Sequence, residues 1–234
     1  MINNGSSRLA IVTGGSSGIG RAVANKLQQN GVTVIVADKT EPSAEDKLIF
    51  KKCDVSSAKD IEALYSWVSK NHGIPDYLIL NAGQGIQEKL SEGDPEKWQQ
   101  VIHTNLMGPL RCIRAFTPGM LERKSGNVIF ISSVSANQPH PYGGIYSASK
   151  TALEVIAETL RLETIPHLNV TVVSPGIVKT DFFENQISGN NNVEDMGMGA
   201  ISAEEIAEDV LYALKKKPGT SINKIVTRPN LQTF

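Results

Sequence analysis

The sequence predicts a single α/β domain with a doubly wound, seven-stranded parallel sheet. Short β-branched runs alternate along the 234-residue chain with longer segments of helical periodicity. Most of the short runs are continuously apolar, which is typical of strands that helices cover on both faces. The alternation of strand and helix therefore favours a parallel sheet between two helical layers.

Seven segments are predicted as strands because each is short, apolar and rich in β-branched residues. In chain order they are Leu9–Thr13, Val32–Ala37, Leu48–Cys53, Tyr77–Leu80, Asn127–Ile131, Val170–Val173 and Ile222–Thr227. The stretch between the second and third strands is long enough only for a brief helix or loop. One crossover is therefore expected to be short.

Five longer segments between these strands are predicted as helices. They are Gly18–Asn30, Ser57–Lys70, Pro95–Arg114, Tyr146–Glu163 and Ala203–Lys216. In the fourth segment, Leu153, Ile156 and Leu160 fall on one stripe, and the charged residues fall off it. We expect that stripe to face the core.

The composition is that of a globular protein without a polymer partner. Lys and Arg total 23 against 24 Asp and Glu, a formal net charge of -1, and 40% of the residues are hydrophobic. This excludes disorder as the main state and predicts no attraction to nucleic acid or anionic lipid. No run approaches the about 18 apolar residues of a membrane span. Because Cys53 and Cys112 are too few for a disulfide framework, we expect a cytoplasmic protein in a reducing compartment.

The first predicted strand leads directly into the glycine-rich sequence TGGSSGIG at residues 13–20, which opens a helix. Here Gly14 permits a tight turn, Gly18 lets the backbone approach a pyrophosphate, and Gly20 permits close helix-on-strand packing. Free amides at the helix start attract the anion. The glycines alone fit a ligand-free turn equally well, but their position between strand and helix favours a dinucleotide.

Asp38 follows the second apolar run and is the candidate for contacts to the adenosine ribose. A carboxylate there accepts hydrogen bonds from ribose hydroxyls and repels a 2′-phosphate, which favours NAD over NADP. Lys39 partly offsets that repulsion. The alternative interpretation of Asp38 is a turn residue after a strand.

Tyr146 and Lys150 in the sequence YSASK are four residues apart, so a helix places them on one side. A phenol has a pKa of about 10, and a nearby ammonium favours the phenolate, which makes the two residues a proton-transfer pair. Ser133 follows the strand VIFIS at the carboxyl edge of the sheet, where its hydroxyl is placed to hold a substrate oxygen. Taken singly, such a Ser or Tyr is more often a cap or a packing residue. Only the combination points to catalysis.

Six motifs in this order resemble the short-chain dehydrogenase/reductase family over about residues 8 to 183. They are TGGSSGIG, NAG at 81–83, Asn105 in TNLMG, Ser133, YSASK and PGIVKT. The resemblance implies a single Rossmann-like NAD(P)-binding domain over residues 1–234. It also implies an oxidoreductase that transfers a hydride between the coenzyme and a secondary alcohol or carbonyl compound, and Asp38 makes NAD the expected coenzyme, with NADP less favoured.

The resemblance also implies the roles of individual residues. Tyr146 is the general acid or base, Lys150 lowers its pKa and binds the nicotinamide ribose, Ser133 polarises the substrate oxygen, and Asn105 supports a water-linked proton relay. Asp54 resembles the acid that touches the adenine amino group. The expected cofactor-binding residues are Gly14, Ser16, Ser17, Gly18, Ile19, Gly20, Asp38, Asp54, Val55, Asn81, Ala82, Gly83, Tyr146, Lys150, Pro175, Gly176, Ile177 and Thr180.

Two functions from other classes compete with this interpretation. A non-catalytic NAD(P)-binding sensor or regulatory protein would use the same fold, although the complete catalytic set argues against it. A methyltransferase also uses a glycine-rich loop and a strand-end acid, but the YSASK helix has no role there.

Residues at about 180–200 are expected to close over a small-molecule substrate as a lid. Phe182, Phe183, Met196 and Met198 either line an apolar pocket or only pack the lid onto the core. Gln138, His140 and Tyr142 either line the same pocket or are exposed loop residues. The chain ends INKIVTRPNLQTF rather than in the V-D-G-G segment of many family members. By analogy, we therefore expect a homodimer through the Asn105 and Tyr146 helices rather than a homotetramer.

Overall fold

The structure is a computed structural model that describes residues 8–46, 48–189, 197–217 and 219–233. Its strands are β1 (Leu9–Thr13), β2 (Thr33–Asp38), β3 (Ile49–Lys52), β4 (Tyr77–Leu80), β5 (Gly126–Ile131), β6 (Leu168–Pro175) and β7 (Lys224–Thr227). They form one sheet in the order β3-β2-β1-β4-β5-β6-β7, and every neighbouring pair is parallel. The predicted seven-stranded parallel sheet is confirmed.

Six α-helices accompany these strands among the described residues. They are α1 (Gly18–Gln29), α2 (Ala58–Asn71), α3 (Pro95–Ile102), α4 (Gly108–Glu122), α5 (Gly144–Thr164) and α6 (Ala203–Leu214). Between β2 and β3 the chain forms only a short 3-10 helix, Ala44–Asp46, as the short crossover predicted. Ser57, predicted as the first residue of the second helix, instead caps it, because its side chain accepts a hydrogen bond from the Asp60 amide.

Helices cover both faces of the sheet and divide the core into two apolar layers. Successive strand residues point to opposite faces, so Ile11 and Ile35 pack with α2, α4 and α5, whereas Val12 and Val36 pack with α1 and α6. Leu153 and Leu160 of α5 are buried in the first of these layers, as the predicted stripe requires. Burial on both faces explains why the five inner strands are nearly continuous apolar runs, whereas the edge strands β3 and β7 contain lysines and are more exposed.

The predicted helix Pro95–Arg114 is wrong as a single element. A π-helical segment, His103–Met107, separates α3 from α4, and α4 continues to Glu122. Pro109 lacks the N–H that would bond to the Asn105 carbonyl in a continuous α-helix, and it is accommodated in the first turn of α4 instead. The wider turn carries Asn105, whose side chain is buried.

The strand order reverses direction between β1 and β4. From β1 the chain moves outward to β2 and β3, and it then returns to β4 on the other side of β1. In open parallel sheets, ligands bind beyond the carboxyl ends of the strands at such a switch point. The fold therefore places a site where the glycine-rich loop after β1 meets the residues after β4.

Candidate active site

A cleft of about 850 Å³ lies along the carboxyl edge of the sheet. Its walls come mainly from the segments that follow the seven strands, including Gln232 after β7. Seventeen predicted site residues line it: Gly14, Ser17, Gly18, Ile19, Asp38, Asp54, Val55, Asn81, Ala82, Gly83, Ser133, Tyr146, Lys150, Pro175, Gly176, Ile177 and Thr180. Ser16, Gly20 and Asn105 do not line the cleft but contact residues that do.

The glycine-rich loop is packed too closely for a side chain at Gly14 or Gly20. Gly14 has a φ of +63°, and a Cβ there would lie 2.8 Å from the Ala82 Cα. A Cβ on Gly20 would lie 2.0 Å from the Gly14 carbonyl oxygen. Gly20 therefore presses α1 against the loop, as predicted, and does so from behind the cleft wall.

Asn81 joins the end of β4 to this loop. Its side-chain amide donates to the carbonyl oxygens of Thr13 at 3.0 Å and Gly14 at 2.8 Å. The backbone amides of Asn81 and Ala82 in turn donate to the Thr13 hydroxyl. The two sides of the switch point are thus held together by side-chain hydrogen bonds.

The N-terminus of α1 is open to an anion. Ser17 precedes the helix in an extended conformation, its side chain makes no capping hydrogen bond, and the first turn contains no acidic residue. The first amides of a helix need acceptors and carry positive potential. The loop and helix therefore fit the pyrophosphate of a dinucleotide.

Asp38 is held at the edge of the cleft by backbone amides. Its carboxylate accepts from the Ser16 amide at 3.0 Å and from the Thr40 amide at 3.3 Å. Ser16 therefore supports Asp38 instead of lining the cleft. Burial raises the pKa of Asp54, but hydrogen bonds from the Ser56 amide and hydroxyl outweigh this effect and hold the pKa below its usual value. Two carboxylates thus face the same end of the cleft.

Tyr146 and Ser133 meet at the opposite end of the cleft. Tyr146 lies in the first turn of α5, and Ser133 lies two residues after β5. Burial raises the pKa of Tyr146 to about 12, and a hydrogen bond with Ser133 opposes that rise. The phenol is therefore protonated at neutral pH in the free protein.

Lys150 lies one helical turn beyond Tyr146 and is almost completely buried. Its Nζ donates to the Ile131 carbonyl oxygen at 2.9 Å and lies 5.8 Å from the centre of the Tyr146 ring. Burial lowers the pKa of Lys150 to about 8. At neutral pH Lys150 is therefore mostly protonated, and its ammonium group lies next to the phenol.

Asn105 lies one layer behind these residues. Its Oδ1 accepts from the Gln84 amide at 2.7 Å, and its Nδ2 donates to the Gln84 carbonyl oxygen at 2.9 Å. A Cβ on Gly83 would lie 3.4 Å from the Lys150 Nζ and 3.5 Å from the Asn105 Oδ1. The glycine therefore keeps side-chain atoms out of the space between the two polar groups.

Sequence reasoning missed Gln84 and Gln232, which both line the cleft. Gln84 directly follows the NAG motif, and its position beyond a strand end was a usable signal. Its side-chain oxygen also accepts from the Thr104 hydroxyl at 3.0 Å. Gln232 lies near the end of the chain, where no motif marks it, and it accepts from the Ile177 amide.

Aromatic residues form one wall beside Tyr146. The rings of Tyr146 and Phe182 lie 5.7 Å apart, as do those of Phe182 and Phe183. Phe182, Phe183, Met198, Gln138, His140 and Tyr142 all line the cleft, whereas Met196 lies outside the described residues. The end of the cleft beside Tyr146 thus has aromatic and Met side chains as well as polar ones.

Within the described ranges the chain has neither a cluster of metal ligands nor a membrane-spanning helix. No group of three or more His, Cys, Asp or Glu side chains there is placed to hold a metal ion. Likewise, none of the helices in those ranges is long and apolar enough to cross a membrane. Cys53 and Cys112 are both buried, free thiols.

Comparison with known proteins agrees with this geometry. The family described as short chain dehydrogenase matches residues 8–191. An uncharacterized oxidoreductase of Staphylococcus saprophyticus is 30% identical over 247 residues and covers 100% of both chains. The serine dehydrogenase of Escherichia coli is 26% identical, with a TM-score of 0.84 over 97% of this chain and 100% of the other. The alcohol dehydrogenase of Thermococcus sibiricus, complexed with 5-hydroxy-NADP, is 25% identical, with a TM-score of 0.85 over 97% and 98% of the two chains. With a dinucleotide cleft and a Tyr–Lys–Ser cluster at its end, this chain belongs to the short-chain dehydrogenase family of NAD(P)-dependent oxidoreductases.

Proposed function

We propose that this protein interconverts a secondary alcohol and the corresponding carbonyl compound, with Tyr146 as the proton donor and acceptor. The observation that carries the proposal is the convergence of Tyr146, Ser133 and Lys150 at one end of a cleft that fits a dinucleotide. The coenzyme, when bound, supplies or accepts the hydride.

The residues of the cleft divide the binding of NAD(P) among them. The loop from Gly14 to Gly20 and the first amides of α1 hold the pyrophosphate. Asp38 accepts hydrogen bonds from the hydroxyls of the adenosine ribose. Asp54 and Val55 lie beside the adenine. The adenosine side of the cleft is lined by Asn81, Ala82 and Gly83. The segment Pro175–Thr180 holds the nicotinamide.

We propose NAD as the preferred coenzyme because Asp38 is fixed with its carboxylate toward the cleft. A negative charge at this position repels a 2′-phosphate. Lys39 lines the same end and reduces that repulsion without removing it. The archaeal alcohol dehydrogenase described above was complexed with 5-hydroxy-NADP. The ratio of kcat/KM for NAD and NADP therefore tests the preference of this chain.

Tyr146 moves the proton at its phenolic oxygen. In the carbonyl-reducing direction it donates, which its raised pKa favours, because the phenol carries its proton at neutral pH. Ser133 donates a hydrogen bond to the substrate oxygen and stabilises the negative charge that develops there. In the oxidising direction Tyr146 accepts the alcohol proton, and the Lys150 ammonium favours the phenolate that this step requires.

Lys150 also has a binding role, since the family assigns it to the nicotinamide ribose. Its Nζ uses one of its three donors on the Ile131 carbonyl oxygen. The ammonium therefore has further donors for ribose hydroxyls. Asn105 fixes Gln84 and stands beside the Lys150 ammonium across Gly83, where we place the water-linked relay.

The segment at about 180–200 is proposed as a substrate lid on one domain that comprises residues 1–234. Both of its ends are fixed, because Val178 and Ile201 form an isolated bridge and the Lys179 amide donates to the Ile201 carbonyl oxygen at 2.9 Å. The proposed substrate is a small molecule with an apolar part that suits Phe182 and Phe183. The proposed assembly is a homodimer through α4 and α5, with a homotetramer as the second option.

The experiment is a screen of hydroxy acids, sugar alcohols, steroids and acyl ketones with NAD and NADP, followed by kinetics of Tyr146→Phe. We expect the variant to lose turnover, by at least about 100-fold, while it binds NADH as the wild type does. Wild-type binding of NADH without turnover of any compound would support a sensor instead. A Tyr146→Phe variant that keeps most of its turnover would refute the assignment of the proton donor.

A further inference from the structure

We propose that Gln232, near the C-terminal end of the chain, is a positioning residue for the nicotinamide end of the coenzyme cleft. The inference rests on the proposed function, because it assigns the segment Pro175–Thr180 to nicotinamide binding. It adds that the C-terminal tail, residues 228–233, holds this segment in its binding shape.

The contact itself is a buried hydrogen bond between distant parts of the chain. The Gln232 side-chain oxygen accepts from the Ile177 amide at 3.0 Å, and Gln232 is only 8% exposed. Because a backbone amide can only donate, the acceptor must be the carbonyl oxygen of the glutamine. The hydrogen bond thus fixes the orientation of the side-chain amide.

Gly176 makes this close approach possible. A Cβ on Gly176 would lie 2.1 Å from the Gln232 side-chain oxygen and 2.5 Å from the Arg228 Cβ. The Gly176 amide also donates to the Thr227 carbonyl oxygen at 2.8 Å. Side chains of the tail therefore pack directly on the backbone of the nicotinamide segment at Gly176, which has no side chain of its own.

The tail is itself held in a defined conformation and reaches a second wall of the cleft. The Gln232 amide donates to the Pro229 carbonyl oxygen at 3.0 Å, which closes a turn. Arg228 donates to the Gln138 side chain at 3.2 Å, and Gln138 lies in the loop between Ser133 and Tyr146. The tail thus joins the nicotinamide segment to the loop that carries Ser133.

Loss of the acceptor would leave the Ile177 amide without a partner in a buried position. A buried, unpaired backbone N–H is costly, so the segment is expected to move until the amide reaches water. That movement displaces Gly176 and Ile177, which both line the cleft. The effect should therefore fall on coenzyme binding more than on the core, which is formed by residues of the sheet and the helices.

The test compares Gln232→Met, which keeps the length of the side chain but has no strong acceptor, with Gln232→Glu, which keeps an acceptor oxygen. Leu231→Ala is the matched control, since Leu231 is in the same tail and is 69% exposed. For each protein, the Kd for NADH is measured by fluorescence titration, thermal unfolding is followed without coenzyme, and KM and kcat are determined on a substrate from the screen. We expect Gln232→Met to raise the Kd and the coenzyme KM about tenfold, equivalent to about 1.4 kcal/mol. Unfolding should stay close to wild type.

Gln232→Glu should recover most of the affinity, and Leu231→Ala should bind as the wild type does. Equal NADH affinity in Gln232→Met and wild type would overturn the proposal. A loss of affinity that only matches a general loss of stability would also overturn it, because the role would then be structural. Failure of the wild type itself to bind NADH or NADPH is a separate result, which refutes the proposed function.

Discussion

Replacement of Asp38 by Asn tests the coenzyme preference most directly. The carboxylate is fixed by the Ser16 and Thr40 amides, so its charge stays at the edge of the cleft. A phosphate group about 5 Å away is repelled by about 1.7 kcal/mol per unit charge at an effective dielectric constant of about 40. Removal of that charge should therefore strengthen NADP binding about 15-fold.

The same substitution should weaken NAD binding. A carboxylate that accepts from ribose hydroxyls makes charge-assisted hydrogen bonds, which exceed neutral ones by about 1 kcal/mol. Its loss corresponds to about fivefold in NAD affinity. Together the two effects should change the NADP-to-NAD ratio by roughly 50- to 100-fold.

The assay is the ratio of kcat/KM for the two coenzymes, with Kd values from titration at low and high salt. Asp181→Asn is the matched control, because Asp181 also lines the cleft but follows Thr180 at the start of the proposed lid rather than lying beside Asp38. The shift should shrink as salt rises, because salt screens exposed charges. An Asp38→Asn variant with the wild-type ratio, or a shift of equal size in Asp181→Asn, would refute the electrostatic reasoning.

Two further predictions concern the catalytic pair and the glycine-rich loop. Lys150→Met removes the cation beside a phenol whose pKa burial raises to about 12, so alcohol oxidation should fall by at least about 100-fold and keep rising with pH between about 7 and 10. A pH–rate profile that levels off where the wild type does would contradict this. Gly20→Ala places a Cβ 2.0 Å from the Gly14 carbonyl oxygen, so α1 must shift. We expect the free energy of unfolding to fall by about 1 to 3 kcal/mol, measured as a lower denaturation midpoint, and NADH binding to weaken. An unchanged midpoint together with unchanged NADH affinity would contradict the close packing.

The parts of the fold that were predicted well are those with local causes. β1 and β4 have the predicted bounds, because an apolar run ends at a loop or turn in each case. In the TGGSSGIG loop and the YSASK turn, the functional residue types and the spacing that brings them together also lie within a few residues of sequence. These signals can be read from a short window of sequence.

The parts that were missed depend on contacts across the chain. The π-helical turn at Asn105 places its side chain on the backbone of Gln84, 21 residues away, and periodicity carries no trace of that pairing. Gln232 reaches Ile177 across 55 residues. The sequence indicated only that the V-D-G-G segment of many family members is absent from this ending. Such contacts are set by the packed sheet and not by local preference.

Burial sets the resting state of the catalytic pair. It raises the pKa of Tyr146 and lowers the pKa of Lys150, so both side chains are pushed toward their neutral forms. In the proposed mechanism the phenol form of Tyr146 donates the proton in reduction, and the phenolate accepts it in oxidation. A positive nicotinamide ring would favour the phenolate and a neutral ring the phenol, so the same two buried side chains would suit both directions.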